Sequence, residues 1–368
     1  MKGLSKNWNT ILIIVLCWTL FVSFAFVVEY FFLVDLINLN KLSGYYSFWP
    51  DFLATILLSI FAGLVFGYLL VNKMSSKFIG KTFAFGIVNA GLFFIVIYLM
   101  LAVVGIFTLG FVYFSFTSGI TRALKEASNN VIVNISTPSF FVNMIAWAIL
   151  VSATQFMLQV RNKFGPGILW KFITGKYYHP RQEERIFMFL DLRSATTIAE
   201  KIGSNKFFYL LKETYRDITE PIISCAGEIY QYVGDEVVIT WTIKNGLKDN
   251  NCLECFFLVS KTLKNKKLYY TEKYGHCPEF KAGLHIGEST VGEIGVIKKD
   301  IVFSGDVLNT TSRIQGECNN YNVSLLVSSE LLKRLALNGK YDTQPLGAIP
   351  LKGKAEKLEL YSITLDSC

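Results

Sequence analysis

Four long apolar stretches, 11–34, 52–71, 83–107 and 140–160, dominate the first 160 residues of this chain. Each approaches or exceeds the ~20 residues that a helix needs to cross a ~30 Å hydrocarbon core. Residues 1–160 are therefore expected to form an all-α domain of four transmembrane helices. The third stretch stays apolar to Phe116, which is too short for two helices of ~20 residues and a turn. From Arg161 onward charged residues recur every few positions, as in a soluble domain, so the 52% apolar content is very unevenly distributed. Two parts are implied, and 368 residues exceed one average domain.

The formal net charge is +8, yet the basic residues form no single stripe with interleaved aromatics, which argues against a nucleic-acid partner. Four crossings place Lys2, Lys6, Lys73, Lys77, Lys81, Arg161, Lys163, Lys171 and Lys176 on one side and Lys41, Arg122 and Lys125 on the other. Positive charge marks the cytoplasmic side. The expectation is an integral protein of the cell (inner) membrane with both termini cytoplasmic and the bilayer as a partner. The first stretch follows Lys2 and Lys6 but exceeds a signal-peptide core and lacks an obvious small-residue cleavage site, so it reads as a retained anchor. Stretches two to four hold no deep ionisable residue, and Glu29 near the end of the first reads as interfacial. That pattern suits an anchor or sensor rather than a transporter.

Residues 161–184 read as a juxtamembrane linker. Gly165-Pro166-Gly167 should interrupt a helix leaving the membrane, and Ile168, Leu169, Trp170, Phe172 and Ile173 can rest on a bilayer or a partner chain. Six of the seven cysteines are scattered through the soluble half, as free thiols in a reducing compartment would be. Cys252-x-x-Cys255 has neither a second such pair nor a nearby histidine, so core thiols are the better reading than zinc. Asn134-x-Ser136 matches a glycosylation acceptor by spelling only.

Ile186 to Leu190 is a wholly apolar run ending at Asp191, which reads as a buried strand delivering a carboxylate at its tip. Ser194 to Thr197 then open a helix, whose unpaired N–H groups can cradle phosphate oxygens, with Ser194 and Thr196 as substrate contacts. Alone, Asp191 would pass for a turn residue. Glu228–Val233 and Val237–Trp241 are two further strand-like runs joined through Gly234-Asp235-Glu236, which puts Asp235 at a hairpin tip. Two such carboxylates can share a pair of divalent cations, and hard oxygen donors suit magnesium or manganese. Further on, Asn309 and Arg313 lie four apart on an expected helix and share a face.

Taken in order, Phe189-Leu190-Asp191-Leu192-Arg193-Ser194, Val233-Gly234-Asp235-Glu236 and Gly305-Asp306-Val307-Leu308-Asn309-Thr310-Thr311-Ser312-Arg313 resemble the motifs of a class III nucleotide cyclase. The resemblance covers about Arg185 to Thr364 and implies an α+β, ferredoxin-like (palm-like) catalytic domain over 185–368. It also implies two Mg2+ or Mn2+ ions held by Asp191, Leu192 and Asp235, ribose orientation by Asn309 and transition-state charge stabilisation by Arg313. Lys281 in Phe280-Lys281-Ala282-Gly283 resembles the lysine that contacts adenine, and Lys352 in Leu351-Lys352-Gly353-Lys354 the lysine that approaches the triphosphate. His285 matches a family residue without a catalytic role. Because the family's sites lie across a dimer interface and this domain carries both residue sets, a homodimer is implied, with ATP as substrate and cyclic AMP and pyrophosphate as products.

One position departs from the pattern. Seven residues before Asn309, where the family has Asp or Thr for adenine and Cys or Ser for guanine, this chain has Val302. GTP therefore stays open as substrate, with Asp300 and Ser304 as off-register polar neighbours. Val233-Gly234-Asp235-Glu236-Val237 only partly resembles the diguanylate cyclase signature, and the later Lys281, Asn309 and Arg313 argue against that family. A non-catalytic nucleotide-binding membrane receptor is the alternative from a different class.

Overall fold

The computed structural model describes residues 2–38, 48–74, 82–117, 119–164, 168–337, 339–350 and 357–365. It divides into two compact units, Met1–Phe164 and Gly165–Cys368. Lys352 and the Gly165-Pro166-Gly167 break lie outside the described residues.

The first unit comprises helices α1 (Lys2–Asn38), α2 (Phe48–Tyr68, continued by a π-helical turn Leu69–Met74), α3 (Phe83–Thr117), α4 (Ile120–Ile135) and α5 (Pro138–Phe164). Among the described residues, Trp8–Phe31, Phe48–Lys73, Ala84–Thr117 and Phe140–Arg161 are long and apolar enough to cross a membrane. Their mutual contacts are made by Ile11, Ile14 and Trp18 of α1, Phe66 of α2, Phe94 of α3 and Val151 of α5. Between apolar helices polar side chains add directional contacts: Trp18 Nε1 donates to Thr154 Oγ1 at 2.9 Å, and Arg161 Nη1 donates to Thr10 Oγ1 at 2.7 Å.

Two features differ from the sequence expectation. The third apolar run continues as one helix to Thr117 instead of stopping at 107. Helix α4 was not anticipated, because Arg122, Lys125 and Glu126 end the apolar run. It is amphipathic: Ala123, Ala127 and Val131, spaced four apart, are buried while Leu124 and Ile132 are exposed.

The second unit contains α6 (Ile168–Ile173), β1 (Arg181–Leu192), α7 (Ala195–Ile202), α8 (Ser204–Ser224), β2 (Glu228–Val233), β3 (Glu236–Thr242), α9 (Ile243–Leu247) and α10 (Asn251–Asn265). After these come α11 (Lys267–Tyr274), β4 (Phe280–Ile294), β5 (Asp300–Ser304), α12 (Asp306–Asn320), β6 (Leu325–Ser328), α13 (Ser329–Leu332), β7 (Tyr341–Pro350) and β8 (Lys357–Leu365). The strands form one mixed sheet in the order β2-β3-β1-β4-β6-β8-β7, with β5 paired to β4. The β4–β6 pairing is parallel and β1 is antiparallel to both its neighbours.

Strand β1 begins at Arg181, inside the stretch read as linker, because β4 continues to Ile294 and gives Arg181–Glu184 a pairing partner. Being paired on both edges, β1 alternates between two cores, which explains its unbroken apolar run. Ile186, Met188, Leu190 and Leu192 pack toward α7, α8, α10 and α11, together with Trp241. Phe187 and Phe189 face the other way, with Val307 of α12 and Phe303. Full burial of each such side chain contributes about 1.5–3 kcal/mol.

Helix α12 lies unusually close to the sheet. A Cβ at Gly283 would collide with the backbone of Gln315, and one at Gly287 would sit 3.1 Å from the Val307 side chain. Gly283 and Gly287 of β4 thus admit the helix that carries Asn309 and Arg313.

The reading of Cys252 and Cys255 as core thiols agrees with the structure: both are buried in α10, beside Cys225. Burial pushes the Cys252 thiol up to about 12. His285 is likewise a core residue, with Nδ1 2.8 Å from Ser328 Oγ.

Candidate active site

Asp191 stands near the end of β1 on the face covered by α12, two residues beyond Phe189. Cross-strand registry places Glu236 of β3 on one side of it and Lys281 of β4 on the other. The result is a row, Glu236–Asp191–Lys281, across three strands at one end of the sheet. Lys281 Nζ lies 3.1 Å from Asp191 Oδ2 and donates to Asn319 Oδ1 at 3.1 Å. Gln315 Nε2 donates to the same Asp191 oxygen at 3.1 Å, so α12 holds both members of the pair.

The β2–β3 hairpin turns through Gly234 and Asp235 alone. Gly234 has φ 63°, the left-handed conformation that glycine adopts without penalty. Tyr215 OH donates to Gly234 O at 2.8 Å, and Leu192 N–H donates to Asp235 O at 3.4 Å, tying the turn to α8 and to the end of β1. Asp235 is thereby held beside Asp191.

The electrostatics of this corner are unbalanced. Burial, and beyond it the neighbouring Asp191 carboxylate, raise the Asp235 carboxyl above the usual range. Burial together with Asp191 and Asp235 pushes Glu236 up to about 7, against the opposing pull of Lys281. Crowded carboxylates with one ammonium beside them leave a deficit of positive charge that a divalent cation would relieve. Among the described residues no three His, Cys, Asp or Glu side chains form a complete metal cage. Magnesium does not require one, since it typically takes one or two carboxylates and fills its shell with water and phosphate oxygens. The donor set of Asp191 and Asp235 fits that chemistry.

Helix α7 starts beside the row. Ser194, its N-cap, adopts φ 55° and makes no capping bond with its side chain, and the helix closes first with Ile198 N–H to Ser194 O at 3.0 Å. Ser194 and Thr196 are exposed there. An uncapped helix start presents N–H groups to an anion.

A groove of about 360 Å³ opens on the same face of the sheet, with Phe189, Tyr230, Gln231, Phe303, Asn309 and Ser312 among its walls. Two residues of strand separate Phe189 from Asp191, roughly 7 Å along the chain. Arg313 is half-buried one turn after Asn309.

The structure therefore brings Asp191 and Asp235 together and puts Asn309 in an adjacent groove. Lys281 belongs to the carboxylate row and is not among the groove-lining residues. Gln231 is the amide side chain that shares the groove with Asn309, and sequence reading passed over it. Its signal was weak: it is a polar residue in an otherwise apolar and aromatic strand, Ile229 to Val233. Glu236 was also passed over as a contributor, because only strand registry shows it beside Asp191. Of the two off-register polar neighbours of Val302, Ser304 lines the groove while Asp300 is paired with Lys298 at 2.8 Å.

The family model described as adenylate and guanylate cyclase catalytic domain matches residues 177–364. Adenylate cyclase 2 of Rhizobium meliloti (strain 1021) is 34% identical over 227 residues, which is 61% of this chain and 62% of that protein. Adenylate cyclase 1 of the same organism is 26% identical over 187 residues, 50% of this chain and 28% of that one. The chain thus spans less than two thirds of the length of either relative. A solved bacterial light-regulated adenylyl cyclase shares the fold, with a TM-score of 0.51 at 21% identity over 60% of this chain and 64% of that chain. With more than half of its residues matched, the chain belongs to the adenylate and guanylate cyclase catalytic-domain family.

Proposed function

We propose that the protein is a membrane-bound adenylate cyclase that converts ATP to 3′,5′-cyclic AMP and pyrophosphate. The observation that carries this reading is the pairing of Asp191 and Asp235 at adjoining strand ends, in a corner short of positive charge. The four apolar helices hold the chain in the membrane, with both termini on the cytoplasmic side, as the distribution of basic residues favours.

Asp191 and Asp235, with the Leu192 carbonyl, would hold divalent cations. Bound there, such ions favour ionisation of the ribose 3′-hydroxyl and neutralise charge on the triphosphate. Asn309 orients the ribose from the groove, and Arg313 stabilises the charge that builds on the phosphates. The α7 start, with Ser194 and Thr196, accepts phosphate oxygens, and Lys352 is assigned to the triphosphate. In the reaction the 3′-oxygen forms a bond to the α-phosphorus, the bond from that phosphorus to the β-phosphate bridging oxygen breaks, the hydroxyl proton leaves to solvent and pyrophosphate departs.

The base is assigned to Gln231 in place of Lys281. Reaching out to a purine would cost Lys281 its contacts with Asp191 and Asn319, whereas the exposed Gln231 amide already faces the groove. An amide both donates and accepts, so GTP remains the competing substrate, and Val302 offers no polar contact of its own. A second copy of the chain completes each site in this reading.

The deciding experiment supplies ATP and GTP separately, with magnesium or manganese, to the full-length protein in nanodiscs and quantifies both cyclic nucleotides and pyrophosphate. Cyclic AMP from ATP alone is the expected result. Cyclic GMP would transfer the assignment to a guanylate cyclase, and no cyclic product from a verified dimer would overturn the enzymatic reading.

A further inference from the structure

Arg185 is fully buried, and each of its three guanidinium nitrogens has a partner. Nη1 lies 3.1 Å from Glu183 Oε2, Nη2 lies 3.1 Å from Glu228 Oε2 and Nε donates to Thr240 Oγ1 at 3.1 Å. Its planar face rests 4.9 Å from the centre of the Phe303 ring. A buried charge is tolerated only where it is paired and hydrogen-bonded, so the two carboxylates fix where this group sits.

One of those carboxylates serves a second cation. Glu228 Oε2 also accepts from Lys171 Nζ at 2.9 Å, and Lys171 belongs to α6, the short helix that follows the membrane unit in sequence. Burial opposes ionisation of Glu228, but Arg185 and Lys171 outweigh it and hold its carboxyl below the usual range. The segment after α6 is anchored beside the same network: Tyr177 is buried, and its hydroxyl donates to Glu183 at 3.0 Å.

The network ends at the groove. Phe303 packs edge-on against Tyr230 at 4.9 Å, and its backbone N–H donates to Tyr230 OH at 3.2 Å. Both residues are walls of the groove that holds Asn309 and Gln231. Glu228 is the first residue of β2, only two positions before Tyr230 and three before Gln231.

We propose that Lys171 and Arg185 are positioning residues that share Glu228, so that the placement of the juxtamembrane helix sets the Tyr230–Phe303 wall of the nucleotide groove. Movement of α6 changes the hold on the start of β2, and Arg185 passes that change to Phe303. This inference rests on reading the groove as the nucleotide site. It assigns the input from the preceding segment to one shared carboxylate oxygen.

The test uses full-length protein in nanodiscs carrying Lys171→Met or Lys171→Arg, with amide exchange over 229–231 and 301–304 measured without nucleotide and steady-state kinetics measured with it. Lys171→Met should speed exchange at Phe303 by about 3–10-fold and raise KM by a similar factor with kcat within about twofold, while Lys171→Arg restores both. Unchanged exchange at Phe303 in folded Lys171→Met protein would overturn the proposal, as would an arginine variant no better than the methionine one. Should the wild type turn over neither nucleotide, the enzymatic reading fails while the exchange measurement still decides the coupling.

Discussion

Lys281 and Asp191 are direct cross-strand partners, 3.1 Å apart from ammonium to carboxylate, with side chains only 11% and 21% exposed. Removing the ammonium leaves Asp191, Asp235 and Glu236 crowded without their compensating charge. Lys281→Met should destabilise the catalytic unit by about 1–3 kcal/mol in chelator. Added manganese should recover more stability in the variant than in the wild type. Thermal unfolding with and without the metal checks this, and equal metal-induced shifts in the two proteins would contradict it.

Asp235→Asn keeps the hairpin but removes a charged donor from the proposed cation site. Cyclic nucleotide formation should fall by roughly 100-fold or more, the scale set by several kcal/mol of charge stabilisation at a metal centre. The far-ultraviolet circular dichroism spectrum should match the wild type, since the side chain lies at a turn. Retained turnover would refute the role given to Asp235.

Gln231→Ala tests the assignment of the base. KM should rise with little change in kcat, the pattern of a contact made equally in ground and transition states. The same substitution should alter the ratio of ATP to GTP use. If Lys281→Met shifts that ratio and Gln231→Ala does not, the base belongs to Lys281 after all.

Two glycines on either side of the α12 contact predict opposite outcomes. Gly283→Ala forces a carbon into the Gln315 backbone and should cost about 1–3 kcal/mol or more, with the contact between Gln315 and Asp191 disturbed. Gly316→Ala meets no atom within 4 Å and lies inside a helix, so it should stabilise by about 0.4–1 kcal/mol. Chemical denaturation of the two variants separates these signs.

Acid should unlock the Arg185 network. Glu183 and Glu228 have carboxyls below the ordinary value of 4.5, because neighbouring cations outweigh the opposing effect of burial. A depressed folded pKa contributes stability that is complete above about pH 4.5 and is lost as pH falls through the folded value. Urea unfolding between pH 6 and pH 3 should show that loss. Glu228→Gln should flatten the profile over the same window.

The sequence was most legible where one residue's role follows from its immediate neighbours. The apolar run before Asp191 and the Gly234-Asp235 turn each declared a strand tip, and the structure has both. Registry between distant strands carries no local signal, so the row Glu236–Asp191–Lys281 was invisible. Gln231 was hidden for a related reason: a groove wall is defined by what faces it, here Asn309 some 78 positions later. Helix α4 went unread because its buried stripe, Ala123, Ala127 and Val131, is short and is interrupted in sequence by Lys125 and Glu126. Arg185 carries no local signal either, because Glu228 and Phe303, 43 and 118 positions later, reach it only through strand pairing.

The pairing of β1 with β4 has a kinetic consequence. Asp191 and Lys281 are separated by 90 positions (281 − 191), and each gains its partner only when that long-range pairing closes. At a synthesis rate of ~5–20 residues per second, Lys281 would be added roughly 5–18 s after Asp191. Closing so long a loop carries its entropic cost before any contact rewards it. The acidic corner is therefore assembled late in folding, and the nascent chain passes through a period in which the apolar helices exist and that corner does not.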